Sequence, residues 1–480
     1  MRLRAAAACL LLTAACGGPP EAGDDAGPRI DAGSFTFDAS QPMDGGEPDA
    51  GAGPDAGADL DAGLMMDAGL DAGLDAGPPV VDAGFSVIRY LPGRTQSPLT
   101  PEVVAHLQSI AALSPSKNGA VFSKIGDSNT VNTNYLACFA GSNVDLGGRI
   151  PLDPALQHFR AGLVGGTTPF DRTSLCATVG WSAFSALAGA PSPLQQEIDA
   201  AQPRFATVMF GTNDVGFADP HMFGRNLFTI VDTLSMQGVV PIISAIPPRD
   251  DSATIDAWVP RYNLVARGIA QARKVPFVDL HRELLTVPAH GLGPDGVHLN
   301  VYVPGGVRGC ALTTAGLAYG HNTRNLYTLE GLSRAWSAVA AGTAPDPTAP
   351  RIFGTGVPGD EVVISSLPFV DVRDTRTDGV ARLDTYPGCG SMANESGREV
   401  LYRLVLGQAT NVRVFVVSLG TSDIDVHLLS DTTSGGSCIV RNDKFFVRQL
   451  AAGTYYLSLD TYQSAAGVLS GEYLVGVMAE

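Results

Sequence analysis

Positive charge is scarce in this chain: 31 Lys and Arg stand against 48 Asp and Glu, for a formal net charge of −17 over 480 residues. That balance suggests no nucleic-acid partner. Near the N-terminus no apolar run is long enough to cross a bilayer, since the one at 5–12 is far too short. From 17 to 84 aromatic and β-branched residues are almost missing, so this stretch cannot bury enough apolar surface to offset its conformational entropy and is expected to be disordered. What fills it instead is Asp-Ala-Gly, nine times over, starting at Asp25, Asp31, Asp49, Asp55, Asp61, Asp67, Asp71, Asp75 and Asp82. Fifteen acids against Arg29 alone give it a net charge of −14, which leaves only −5 for everything from Phe85 onward once Arg2 and Arg4 are counted. The acidity therefore belongs mostly to a solvated tether. A flexible chain of about 68 residues would span on the order of 45 Å.

Ahead of the tether, Met1-Arg2-Leu3-Arg4, the apolar run and Thr13-Ala14-Ala15-Cys16 have the layout of a basic n-region, an h-region and a small-residue cleavage site. Residues 1–15 are thus expected to be a signal peptide and the protein to be exported. Cys16 after small residues resembles the lipobox of bacterial lipoproteins, which implies acylation of Cys16 and a membrane anchor at the cell envelope. Thr13 stands where that family usually carries Leu, and an ordinary secretory signal cut after Ala15 is the alternative.

Past the tether, apolar runs alternate with amphipathic stretches, as in a parallel α/β sheet. Strands are predicted at 120–125, 205–210, 239–246 and 275–280, and helices at 101–113, 193–201, 220–237, 255–274 and 325–341. Gly126-Asp127-Ser128 and Gly211-Thr212-Asn213-Asp214 each follow a predicted strand, and Asp295-Gly296-Val297-His298 lies in a loop beyond one. Ligands in open α/β sheets bind outside the carboxyl ends of strands, where these strings fall. Together they supply a serine nucleophile, an amide for an oxyanion, and an acid and base three residues apart, the minimum kit for acyl transfer.

Phe122-Ser123-Lys124-Ile125-Gly126-Asp127-Ser128, Gly180-Trp181-Ser182, Phe210-Gly211-Thr212-Asn213-Asp214 and Asp295-Gly296-Val297-His298 resemble the four sequence blocks of the SGNH, or GDSL, hydrolases. The resemblance implies a flavodoxin-like three-layer α/β/α fold and an esterase, lipase, thioesterase or carbohydrate deacetylase activity. It nominates His298, oriented by Asp295, as the base for Ser128, and an oxyanion hole made by Ser128 N–H, Gly180 N–H and the Asn213 amide. Gly165 and Gly166 compete with Gly180 for that place. Ser128 would attack the ester carbonyl, an acyl-serine would form, and water activated by His298 would release the acid, with neither metal nor organic cofactor needed. Long connections at 129–179 and 299–321 are expected to shape the pocket. Their neighbourhood includes Arg172, Tyr302, Tyr319 and Arg324, which carry no legible substrate code and are expected to pack at the surface.

A Pro- and Gly-rich passage from 342 to 358 ends this domain, and beyond it the period becomes two. Strands are predicted at 400–406, 412–419, 424–429, 445–447, 454–459 and 472–477, which suggests an all-β sandwich. The run Leu450-Ala451-Ala452-Gly453-Thr454-Tyr455-Tyr456-Leu457 with Asp460, plus Asp423-Ile424-Asp425-Val426 and Gly471-Glu472-Tyr473, resembles the bacterial pre-peptidase C-terminal domain. That module accompanies secreted enzymes, and the resemblance implies polysaccharide or surface binding. Asp423, Asp425 and Asp460 are carboxylates of the kind calcium takes, but are read as strand-end and turn residues. The expected organisation is a signal at 1–15, an anchored tether at 16–84, a hydrolase domain at 85–342, a linker leading into the second domain at 343–384 and the sandwich at 385–480.

Of seven cysteines, six besides Cys16 remain to be assigned. Cys9 leaves with the signal, Cys389 and Cys438 are the expected disulfide in an oxidising compartment, and a Cys138–Cys176 bridge would staple the first long connection and leave Cys310 free. Sequence does not fix that last pairing. Two other functions compete with an exported serine esterase: a surface-binding lipoprotein on an inactive hydrolase fold, and an acyltransferase with the same triad.

Overall fold

The computed structural model describes residues 86–480; the signal, Cys16 and the Asp-Ala-Gly tether lie outside the described residues. Interspersed with short 3-10 turns, the first part runs β1 (Ser86–Ile88), α1 (Pro101–Ala112), β2 (Asn118–Gly126), α2 (Ser128–Val131), α3 (Asp153–Ala161), α4 (Pro193–Ala201), β3 (Pro203–Met209), α5 (Pro220–Met236), β4 (Val240–Ser244), α6 (Ala253–Asp256), α7 (Val259–Ala272), β5 (Phe277–Val278), α8 (Leu280–Leu284) and α9 (Gly320–Ala341). Strands β2, β3, β4 and β5 form a parallel sheet in that order. Helices α1 and α9 pack together on it, as do α5 and α7, giving the expected three-layer α/β/α fold.

The helix starts follow from the sequence. Thr100, Ser192 and Asp219 each cap a helix whose next residue is Pro, and each side chain accepts a hydrogen bond from a first-turn N–H. Such a residue satisfies a donor that has no partner within the helix, and Pro in the first turn gives up nothing. The predicted helix over 255–274 is in fact two, α6 and α7, because Pro260 cannot sit inside a helix without losing an N–H bond and striking the preceding turn. Helix α9 starts at Gly320 rather than Asn325, five residues earlier than its apolar periodicity indicates.

The second part contains β6 (Arg351–Phe353), which returns to pair with β1, then β7 (Val362–Ile364), β8 (Phe369–Asp374), β9 (Val400–Leu406), β10 (Thr410–Ser418), β11 (Ile424–Leu429), β12 (Cys438–Asn442), β13 (Phe445–Leu450), β14 (Gly453–Thr461), β15 (Gln463–Ser464), β16 (Gly467–Val468) and β17 (Glu472–Ala479). Two sheets face each other, β13-β10-β17-β8 and β12-β11-β14-β9-β7, antiparallel throughout except where β7 lies parallel to β9. Asp425 and Asp460 are opposed, buried residues of β11 and β14 rather than turn residues. Among the described residues, no group of three or more His, Cys, Asp or Glu is arranged to hold a metal ion.

Alternate residues of the first sheet enter different cores. On β10, Val412, Val414 and Val416 fill the sandwich interior while Phe415 and Val417 join the hydrolase core. Likewise Tyr473, Val475 and Val477 of β17 face inward and Leu474 faces the hydrolase, with Val370 of β8 beside it. Successive strand side chains point to opposite faces, so one sheet serves two cores. It lies on α5 and α7, where Gly224 and Gly268 make room: a Cβ at Gly268 would lie 2.4 Å from Val370 Cγ2, and one at Gly224 2.9 Å from Val417 Cγ1. The described residues, 86–480, lie in one compact unit.

Candidate active site

Ser128 opens the one-turn helix α2, directly after β2, and Asp127 caps that helix by accepting the Asn129 N–H. Burial pushes the Asp127 carboxyl up, against the pull of the Arg324 guanidinium and a Thr212 hydrogen bond. Gly126 is required by packing: a Cβ there would lie 2.6 Å from Met209 O and closer still to the Thr130 hydroxyl. The turn is thus pressed between β3 and its own helix, with the serine side chain left partly exposed.

His298 Nε2 lies 2.8 Å from Ser128 Oγ, and its Nδ1 lies 2.6 Å from Asp295 Oδ2. The network assigns the proton to Nδ1, which donates to Asp295, so that Nε2 accepts the serine hydroxyl. Asp295 Oδ1 also accepts the backbone N–H groups of Val297 and His298 at 3.0 Å each. The His298 hydrogen bond, with those two amides, holds the Asp295 carboxyl down at about 2. The pair is open to solvent, with side-chain exposures of 41% for His298 and 53% for Asp295.

Asn213 follows β3, and its Nδ2 donates to Trp181 O at 2.9 Å. Gly180, with φ +78° and open space where a Cβ would be, immediately precedes that tryptophan. Gly180 and Asn213 are therefore brought together, whereas Gly165 and Gly166 form a tight turn closed by Val164 and Thr167. Next to Asn213, the buried Asp214 carboxylate accepts the Ala183 N–H with both oxygens, at 3.0 and 3.2 Å. Burial pushes this carboxyl up to about 6.

Several groups around the site carry no sequence signal of their own. Asn129 Oδ1 accepts the Leu299 N–H at 3.2 Å and so latches the Ser128 turn to the residue after His298. Arg324 is not a surface residue: it is buried, donates to Asn129 O and Thr130 Oγ1, and lies 3.6 Å over the Tyr135 ring. Arg172 pairs with the fully buried Glu197, and Tyr302 packs edge-on against Tyr319. Asn325 donates to Asn134 O and Gly309 O, and Asn322 to Arg308 O and Ala311 O, so the first turns of α9 tie both long connections together.

Cys138 is bonded to Cys310, not to Cys176, which is a buried free thiol. The bridge joins the connection after Ser128 to the one after His298, and the parallel pairing of Asp145 with Ala311 brings the same two segments together. Cys389 and Cys438 form the second disulfide, as expected. Beside α2 lies a cavity of mixed character, lined by Asn132, Thr133, Arg172, Thr173 and Ser174 together with Val131, Tyr135, Ala137 and Ala177.

Residues 125–302 match the GDSL-like lipase/acylhydrolase family. No curated protein matches the chain in sequence. Among solved structures, an acetylxylan esterase from Geobacillus stearothermophilus is similar at 16% identity, covering 45% of this chain and 95% of that one with a TM-score of 0.31. An alpha/beta hydrolase enzyme from the metagenome of Lake Arreo, Spain, is similar at 16% identity, 46% and 96% coverage and a TM-score of 0.31.

Proposed function

We propose that this GDSL-like acylhydrolase domain, an ester-hydrolysing serine hydrolase, works through Ser128 as nucleophile, His298 as general base and then general acid, and Asp295 as the group that orients the imidazole. The observation that carries the reading is the unbroken hydrogen-bond chain from Ser128 through His298 to Asp295. His298 takes the serine proton as Oγ attacks the ester carbonyl, and returns it to the leaving alcohol. Water then attacks the acyl-serine with the same base. Ser128 N–H, Gly180 N–H and the Asn213 amide hold the oxyanion, each donor lowering the barrier by about 3 kcal/mol.

The solvent-open His298–Asp295 pair supports a bulky hydroxylated alcohol, such as an acylated carbohydrate, over a long-chain lipid ester. The signal and lipobox-like residues support export and anchoring through Cys16, and the terminal sandwich is read as a pre-peptidase-like accessory that binds polysaccharide or another surface. A series of chromogenic esters from acetate to palmitate tests the chemistry. Hydrolysis is expected to be fastest on short acyl chains and to fall at least about 10³-fold in Ser128→Ala. Equal rates in that variant would sink the triad, and a preference for palmitate would favour the lipid reading.

A further inference from the structure

Between β4 and α6 the chain passes through Pro247-Pro248-Arg249-Asp250-Asp251, and this segment touches both halves of the site. Arg249 Nη1 donates to Thr212 O at 2.5 Å, the carbonyl of the peptide that leads into Asn213. Its Nε and Nη2 donate to the two oxygens of Asp251 at 2.8 and 2.9 Å. A fork-to-carboxylate pair fixes the guanidinium plane, so Nη1 has a set direction. The Arg249 backbone N–H is anchored separately on Asp256 Oδ1 at 2.9 Å.

The same segment holds the acid–base turn. Asp250 N–H donates to Gly296 O at 2.9 Å, and a Cβ on Gly296, whose φ is +67°, would lie 2.6 Å from Asp251 N. Gly296 sits between Asp295 and His298. The Asp250 side chain is in turn held by His290 Nδ1 at 2.8 Å.

We propose that Arg249 is a positioning residue for ester hydrolysis: by gripping the peptide between Thr212 and Asn213 from a segment seated on Gly296, it fixes the oxyanion amide relative to His298. The inference rests on the ester-hydrolase reading above. Asn213 already spends one amide hydrogen on Trp181 O, so the direction of the other is set by where its backbone stands. A displacement of 1 Å in such a group costs about 100-fold in rate. Because the oxyanion exists only in the transition state and the intermediate, the loss belongs in kcat rather than KM.

Steady-state kinetics on a short-chain nitrophenyl ester, with thermal melts alongside, test this in Arg249→Met, Arg249→Lys and Asp251→Asn, and in Arg249→Met combined with Asn213→Ala. Arg249→Met is expected to lower kcat by about 10- to 100-fold with KM changed less than about twofold. Lys can still donate to Thr212 O but lacks the fork, so Arg249→Lys should recover part of the loss. In the Asn213→Ala background the Met substitution should cost less than about threefold, since its target is gone. Full additivity of the two losses, or unchanged kcat in Arg249→Met, would overturn the proposal. If the Met variant does not fold, Asp251→Asn carries the test, with a kcat loss again expected to vanish in Asn213→Ala. Absence of any Ser128-dependent hydrolysis in the unaltered protein would instead overturn the ester-hydrolase reading itself, and this inference with it.

Discussion

At the scale of single residues, the instructive group is Asp214, a carboxylate kept beside the Asn213 amide although burial disfavours its charge. Its folded pKa of about 6 lies above the unfolded value near 4. The native state thus binds its proton more tightly, and the stability this contributes is greatest below pH 4 and is lost as pH rises from 4 to 6. The difference is on the order of 3 kcal/mol. Asp214→Asn cannot ionise, so its stability relative to the parent should improve by that order between pH 4 and pH 7 in urea titrations. A difference independent of pH would refute the assignment. Not every such residue could be read in advance. Ser128, Asn213, Asp295 and His298 are legible because their chemistry ties residue type to position. Arg324, Asn129 and Arg249 act through backbone carbonyls and an amide, and no sequence pattern marks a side chain whose partner is a main-chain atom far away along the chain.

At the scale of elements, the two long connections are one structure. Cys138 and Cys310 are 172 residues apart, so their bridge removes much of the unfolded chain's freedom, and replacing Cys310 with Ser should cost about 3 to 5 kcal/mol in denaturant titrations. A cost below about 1 kcal/mol would mean that the asparagines of α9 hold the connections unaided. The expected Cys138–Cys176 pairing failed because proximity in sequence was the only guide, whereas Cys176 lies in a segment bound alongside β2, where Gly126 donates to its carbonyl. The early start of α9 has a related cause. His321-Asn322-Thr323-Arg324-Asn325 reads as polar loop, yet all five are buried, and the asparagine and arginine side chains bond inward to the connections and the nucleophile turn. Hydrophobic periodicity finds helices that face an apolar core; it misses one whose first turns face a polar one.

At the scale of the whole molecule, the parallel sheet and the sandwich were both legible, since buried parallel strands and alternating antiparallel ones leave different patterns. Their joint packing was not: Val414-Phe415-Val416-Val417 reads as part of an ordinary alternating strand, and its unbroken apolar run is explained only by the cover on both faces. Gly268 is where the seam is tightest. Gly268→Val would push a side chain into Val370 and Leu474 and is expected to cost about 1 to 3 kcal/mol and to split a single calorimetric transition into two. One unshifted transition would show that the seam bears no strain. The shared sheet has a further consequence, for portability. Phe415 and Val417 of β10 and Leu474 of β17 belong to a core whose other side is α5 and α7. A sandwich cut free of its neighbour would carry that apolar row on its surface, so moving it onto another enzyme means refitting that face.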